Sequence, residues 1–120
     1  MEITLKINGE DKTFVQEFIP LKLYRKAVEI EKYAEENPEE AIEVFDKQLN
    51  LIVEAFGKQF TKDELENGMN VQNHREEIYN IIGVGILGLP TLEEQKEEVG
   101  KFLEKMKEGE DTQQKNDTTN

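Results

Sequence analysis

The sequence predicts a mainly helical α+β fold, in which a small N-terminal β-hairpin precedes a bundle of about four to five helices and a disordered C-terminal tail. Two observations predict it. Apolar and polar residues alternate over the first seven positions, which is the period of a half-buried strand. From Pro20 onward, apolar residues recur at the three- and four-residue spacing of amphipathic helices. We expect a single domain over 1–108, with the hairpin in 1–18 and the helices in 20–107.

The hairpin is predicted by the apolar residues of 3–7, by the turn-forming run Asn8-Gly9-Glu10-Asp11 and by a second strand over 12–18. Its register has two alternatives. A two-residue Asn8-Gly9 turn places Leu5 opposite Lys12, whereas a four-residue loop places it opposite Phe14. We favour the longer loop. An isolated hairpin is marginal in water, so its apolar face must pack on helices or pair with another subunit. That face comprises Ile3, Leu5, Ile7 and Phe14.

Two antiparallel helices are predicted next, over 20–36 and 38–56. Asn37 is expected to cap the second helix, with Pro38 at its first position, and Gly57 is the expected left-handed residue beyond its end. The apolar stripe of the first helix comprises Leu23, Ala27, Ile30 and Ala34, widened by Leu21, Tyr24 and Val28.

The remaining helices are predicted from capping signals. Thr61 and Glu64 form a capping box that opens a short helix ended by Gly68, with Phe60 and Leu65 as its apolar contacts. A further helix begins near 71–73. Its apolar residues are Ile78, Ile81, Ile82 and Ile86.

A second capping box, at Thr91 and Glu94, opens a last helix over 92–107. The residues that follow, 109–120, contain nothing apolar to bury and are predicted to be disordered. The last helix carries a narrow apolar stripe that could face the core or lie on a partner helix. Its residues, which are our candidates for partner binding, are Val99, Phe102, Leu103 and Met106.

Composition excludes several classes of function. With 27 Asp and Glu against 15 Lys and Arg, the formal charge is -12, which repels nucleic-acid phosphates and suits a soluble protein with basic or mixed-charge partners. Cysteine is absent, so there is no disulfide framework and no thiolate metal site, as in cytoplasmic proteins. No apolar run is long enough for a membrane span.

The sequence predicts no enzyme, no cofactor and no metal site. The single histidine, His74, lacks neighbouring partners for catalysis or metal binding and is interpreted as a solvated surface residue, and the chain has no serine nucleophile. Adjacent carboxylates such as Glu76-Glu77 do not face each other on a helix. The run Gly83-Val-Gly-Ile-Leu-Gly88 matches the letters of the dinucleotide fingerprint, but no strand precedes it. We interpret these glycines as a bend or a close helix contact.

Two stretches of the sequence carry a family resemblance. Residues 1–27 read MEITLKINGEDKTFVQEF-IPLKLYRKA, and residues 53–68 read VEAFGKQFTKDELENG. In the second stretch a helix ends at Phe-Gly, and Gln-Phe-Thr leads into a short acidic helix and a glycine. Both stretches resemble the tail assembly chaperones of siphophages and prophages of Gram-positive bacteria. After Gly68 the chain departs from that pattern, so the resemblance assigns no contact residue.

The resemblance implies a chaperone in the host cytoplasm that binds the long, coiled-coil-prone tape measure protein and keeps it soluble. It also implies help in recruiting tail tube protein around that client. The alternative is an acidic inhibitor or DNA-mimic adaptor that fills a basic groove through its carboxylates, and whose binding would depend strongly on salt. Self-association into a homo-oligomer through the unpaired hairpin edge is left open by the sequence.

Overall fold

A computed structural model describes residues 1–107 with their side chains and the backbone of 108–119. The chain divides into two units, Met1–Leu89 and Pro90–Asn120. The first contains the hairpin and most of the helices, and the second contains the last helix. The predicted class, mainly helical with an N-terminal hairpin, is confirmed. The single domain over 1–108 stays a prediction.

The N-terminal hairpin pairs β1 (Glu2–Ile7) with β2 (Glu10–Val15) in antiparallel register. Leu5 lies opposite Lys12, so the four-residue loop that we favoured is wrong. The chain turns in two residues, Asn8 at φ 53° and Gly9 at φ 78°. This mirror-image turn matches the twist of the strands, and Asn-Gly is the pair that adopts it most readily.

The first two helices are α1 (Lys22–Glu36) and α2 (Ala41–Ala55). Asn37 ends α1 instead of capping α2, because both its backbone N–H and its side-chain amide donate to the carbonyl of Tyr33. A tight turn then leads to Glu40, and α2 begins three residues later than predicted. Gly57, at φ 65°, follows the end of α2, which confirms the predicted left-handed residue.

The predicted capping box of α3 (Lys62–Gly68) is confirmed. The Glu64 N–H donates to the Thr61 hydroxyl at 3.1 Å, and the Thr61 N–H donates to the Glu64 carboxylate at 2.9 Å. Next come a short α4 (His74–Ile78) and a π-helical segment, Tyr79–Ile86. We call the latter the π-segment.

The core of the first unit lies between one face of the hairpin and the inner faces of the helices. Phe14 stacks on Phe60 at 5.1 Å between ring centroids, and Phe56 meets the same ring edge-on at 5.5 Å. The buried residues are Ile3, Leu5, Leu23, Ala27, Leu49, Leu51, Ile52, Ala55, Phe56, Phe60, Leu65, Ile78, Ile81 and Ile82. Ile7, Phe14 and Ile86 pack partly buried against them, so the predicted apolar faces of the hairpin and of the helix after Gly68 are confirmed.

Close packing explains two of the glycines. A Cβ on Gly68 would lie 2.9 Å from the carbonyl oxygen of Lys6, so α3 can approach β1 only with glycine there. A Cβ on Gly83 would lie 2.8 Å from the ring of Tyr79 inside the π-segment. Gly83 therefore lies in a tightly packed helical segment, consistent with a close contact, whereas Gly88 follows the π-segment at φ 72° and a Cβ there would meet nothing within 4 Å.

The second unit carries α5 (Leu92–Thr119). The Thr91 hydroxyl accepts the Glu94 N–H at 3.0 Å, which is the predicted cap. Residues 92–107 are the part of α5 whose side chains are described, and the predicted disorder of 109–120 falls outside it. Among the described residues, no helix has the length and apolarity needed to cross a membrane.

Candidate protein-binding surfaces

The predicted partner-binding residues lie together on one face of α5, and all four are exposed. Their exposed fractions are 55% for Val99, 61% for Phe102, 58% for Leu103 and 49% for Met106. In a helix of 3.6 residues per turn these positions fall within about 100° of arc. We call this surface the α5 stripe. It offers apolar anchors at positions i, i+3, i+4 and i+7, the spacing with which helices bind helices and grooves.

The two edges of the α5 stripe differ in charge. By helical geometry, Lys96 and Lys107 flank one edge, whereas Glu98 and Lys105 flank the other. The first edge is therefore basic and the second carries both signs, so a partner surface with an acidic side would complement the first edge.

A second exposed apolar surface lies on α1 and is formed by residues that were predicted to widen its apolar stripe. Leu21, Tyr24 and Val28 are 85%, 48% and 43% exposed. We call these three residues the α1 outer stripe. The core side of α1 is narrower, and Leu23 and Ala27 are its fully buried residues. The signal was present in the sequence, because Leu21 and Val28 project more than 90° away from Leu23 on a helical projection.

A groove of about 520 Å³ lies among four elements of the first unit. They are the C-terminal half of α1, the N-terminal half of α2, the helix α4 and the π-segment. Phe45, Ile78 and Ile82 supply apolar lining, and the small side chains of Ala34 and Ala41 leave the space open. We call it the Phe45 groove. Sequence reasoning missed it, because its lining comes from two stretches, 31–48 and 74–83, that are distant along the chain.

One acidic residue, Glu31, lines this groove. Tyr33 lines a separate pocket together with Lys47, and it donates its hydroxyl hydrogen to Glu43 at 2.7 Å. That hydrogen bond, together with partial burial and the negative charges of Glu43, Glu40 and Glu39, raises the pKa of Tyr33 to about 12. The Lys47 ammonium lies 4.8 Å from the centre of the Tyr33 ring.

The opposite side of the groove carries the cationic residue Arg75 and the ring of His74. His74 was predicted to be a solvated surface residue. It is instead half-buried, with its Nδ1 in hydrogen-bond contact with the carbonyl of Val71 and its ring edge-on to Phe45 at 6.3 Å between centroids. The histidine therefore packs as part of the wall of the groove.

The side chains that the structure describes form surfaces suited to binding other proteins. Within residues 1–107, no group of three or more His, Asp or Glu side chains could hold a metal ion. Of the glycine run that matches the dinucleotide fingerprint, Gly83 and Gly85 lie in the π-segment and Gly88 follows it. The helix α4 precedes the π-segment, so the strand that the fingerprint requires is not there. The exposed stripes and the groove are suited to binding amphipathic helices.

A family model described as "Phage tail chaperone protein" matches residues 1–107. The match extends over both stretches that carry the resemblance and includes the α5 stripe. No curated protein and no solved structure gives a significant match.

Proposed function

The chain belongs to the phage tail chaperone family, and on that premise we propose that it binds the tape measure protein of its phage and keeps it soluble during tail assembly. The family assignment points to phage tail proteins as partners. The choice of the tape measure protein among them comes from the resemblance to tail assembly chaperones, whose client is long and prone to form coiled coils.

The exposed α5 stripe is the observation that carries this proposal. Val99, Phe102, Leu103 and Met106 present apolar side chains at heptad-like spacing on a single helical face. A client with unpaired apolar heptad positions needs a surface of this kind, because each helix can then bury its stripe against the other. Binding through such contacts requires no catalytic group.

The charge of the chain supports the solubilising role. A formal charge of -12 on 120 residues would surround the coated client with like charges, and mutual repulsion would oppose its aggregation. We further propose that the complex forms in the host cytoplasm, where a chain without cysteine needs no oxidising compartment. Recruitment of tail tube protein around the coated client is part of the same proposal.

Co-expression with the long coiled-coil protein encoded just downstream tests the proposal. The soluble yield of that protein, and its co-purification with this chain, are compared with and without the chaperone. We expect a stable complex that persists in raised salt. The double variant Phe102→Ser, Leu103→Ser should lose the complex while its circular dichroism remains that of a folded helical protein.

The matched control is Leu21→Ser, which removes an 85% exposed leucine from the α1 outer stripe. It should still bind and solubilise the client. A folded wild-type chain that neither binds the downstream protein nor raises its solubility would refute the function. If Leu21→Ser abolished binding and the α5 double variant did not, the client would bind α1 instead.

A further inference from the structure

The first two turns of α1 combine an exposed apolar surface with unpaired positive charge. The α1 outer stripe places Leu21, Tyr24 and Val28 at positions i, i+3 and i+7, and all three are exposed. By helical geometry Arg25 flanks this stripe, and Lys22 lies farther round the helix on the same side. Both cationic side chains are exposed, and within residues 1–107 neither of them forms an ion pair.

The charges of α1 are arranged against the dipole of the helix. Every charged residue of 21–28 is basic, whereas Glu35 and Glu36 lie in the last turn. The first turn has no acidic residue and the last turn has no basic one. Cations near a helix N-terminus face the positive end of the dipole, so this arrangement lowers the stability of α1. On a chain of formal charge -12 it leaves a local positive surface that the fold does not require.

These features select the chemistry of a partner. A helix with apolar residues at the a and d positions of a heptad would bury the α1 outer stripe, whose residues have the same spacing. Carboxylates beside those anchors would pair with Arg25 and Lys22 and would meet the positive end of the α1 dipole. We propose that the α1 outer stripe binds an acidic amphipathic helix of another protein. This docking surface is distinct from the α5 stripe, which the proposed function assigns to the client.

A second copy of the chain fits this surface poorly. In a parallel pair of α1 helices, Lys22 and Arg25 of one copy would meet the same cations of the other. In an antiparallel pair, the apolar residues would lie opposite the charged C-terminal half of the helix and would find no apolar partner. The α5 stripe of another copy would bring the like charges of Lys96 and Lys107. We therefore assign the acidic helix to a different chain.

Two synthetic stapled helical peptides test the proposal by fluorescence anisotropy with the full-length chain. Both have leucine at the a and d positions, and the flanking positions are all glutamate in one peptide and all lysine in the other. Net charge alone would make the acidic chain prefer the lysine peptide. We expect the glutamate peptide to bind, and Leu21→Ser to weaken its binding at least about tenfold, the effect of losing one well-buried leucine. Any binding of the lysine peptide should be unchanged in Leu21→Ser.

Arg25→Glu tests the contribution of charge. It should weaken binding of the glutamate peptide by about threefold or more, because an attractive pair becomes a repulsive one. Lys101→Glu is the matched control, because it changes the net charge equally on the side of α5 opposite the α5 stripe. It should bind the glutamate peptide as the wild type does. Circular dichroism and thermal unfolding establish that each variant is folded.

Three outcomes with a folded chain would overturn the proposal. The first is that the glutamate peptide does not bind. The second is binding that survives both Leu21→Ser and Arg25→Glu, or that Lys101→Glu weakens as much as Arg25→Glu does. The third comes from sedimentation velocity: self-association that is lost in Leu21→Ser would assign the α1 outer stripe to a second copy.

Client capture separates this proposal from the proposed function. The double variant Phe102→Ser, Leu103→Ser should lose the client but bind the glutamate peptide as the wild type does. Peptide binding that depends on Leu21, without any client capture by the wild-type chain, would leave this proposal standing and refute the proposed function. Client capture by a chain that does not bind the glutamate peptide would do the reverse.

Discussion

The Tyr33 hydroxyl donates to the Glu43 carboxylate at 2.7 Å and thereby links the last turn of α1 to the first turn of α2. The pKa of Tyr33 is about 12, above its ordinary value of 10.0, with the hydrogen bond to Glu43 as the largest cause. The folded chain therefore holds this proton more tightly than the unfolded chain does.

Stability should consequently fall at alkaline pH. The contribution of Tyr33 is fully present below about pH 10 and is lost as the pH rises toward about 12. Urea unfolding across this range, with tyrosinate absorbance recorded in parallel, measures both effects. Glu43→Gln should return the pKa of Tyr33 toward its ordinary value. If the alkaline titration of Glu43→Gln matched that of the wild type, the hydrogen bond would not be the cause.

Gly68→Ala should destabilise the fold. Its Cβ would lie 2.9 Å from the backbone oxygen of Lys6 and 3.0 Å from the Cβ of Leu5, and neither atom can move without shifting β1. Overpacking of this kind costs about 1–3 kcal/mol, to be measured by urea unfolding. Gly100→Ala is the matched control, because a Cβ there meets nothing within 4 Å, and it should increase helix content. Equal effects of the two substitutions would contradict the close approach of α3 to β1.

Thr61→Ala should cost about 0.5–2 kcal/mol of unfolding free energy, because it removes the hydroxyl that accepts the Glu64 N–H at 3.1 Å. The reciprocal hydrogen bond from the Thr61 N–H to Glu64 should weaken with it. Thr61→Ser keeps the hydroxyl and should stay close to the wild type in the same urea titration. A Ser variant as unstable as the Ala variant would assign the loss to the methyl group of Thr61.

Two leucines at the start of α1 should differ in how much their truncation lowers the free energy of unfolding. Leu23 is fully buried, and Leu23→Ala should cost about 2–5 kcal/mol through lost burial and the cavity left behind. Leu21 is 85% exposed, and Leu21→Ala should change the free energy of unfolding by no more than about 0.5 kcal/mol. Thermal and urea unfolding of both variants check the contrast. A large loss of unfolding free energy in Leu21→Ala would mean that this side chain makes a contact that is absent from a single copy of the chain.

Short sequence patterns predicted the fold well wherever interactions among a few consecutive residues decide the structure. The Thr61 capping box and the left-handed Gly57 each depend on a few consecutive residues, and both are present. The alternation of 3–7 likewise predicted the strand. The role of Asn37 was ambiguous because its side-chain amide can end one helix or cap the next. In the structure this amide donates to the carbonyl of Tyr33, so Asn37 ends α1.

The binding surfaces were harder to predict, because burial is set by tertiary contacts. A helical stripe is apolar whether it faces the core or solvent, so the exposure of the α5 stripe did not follow from the sequence. The hairpin register was open because Leu5 could lie opposite Lys12 or Phe14. We favoured Phe14, an apolar partner, but the Asn8-Gly9 turn places Leu5 opposite Lys12, and α3 packs close to β1 beside Leu5.

The packing of α3 on β1 also sets an order of events at the ribosome. Strand β1 emerges before α3, and Leu5 reaches its buried place only when α3 has followed. The ribosome adds about 5–20 residues per second, so the apolar face of the hairpin stays uncovered on the order of seconds until α3 has been synthesised. The segment from Lys62 to Gly68, more than the N-terminus itself, therefore decides when the nascent chain can close its core.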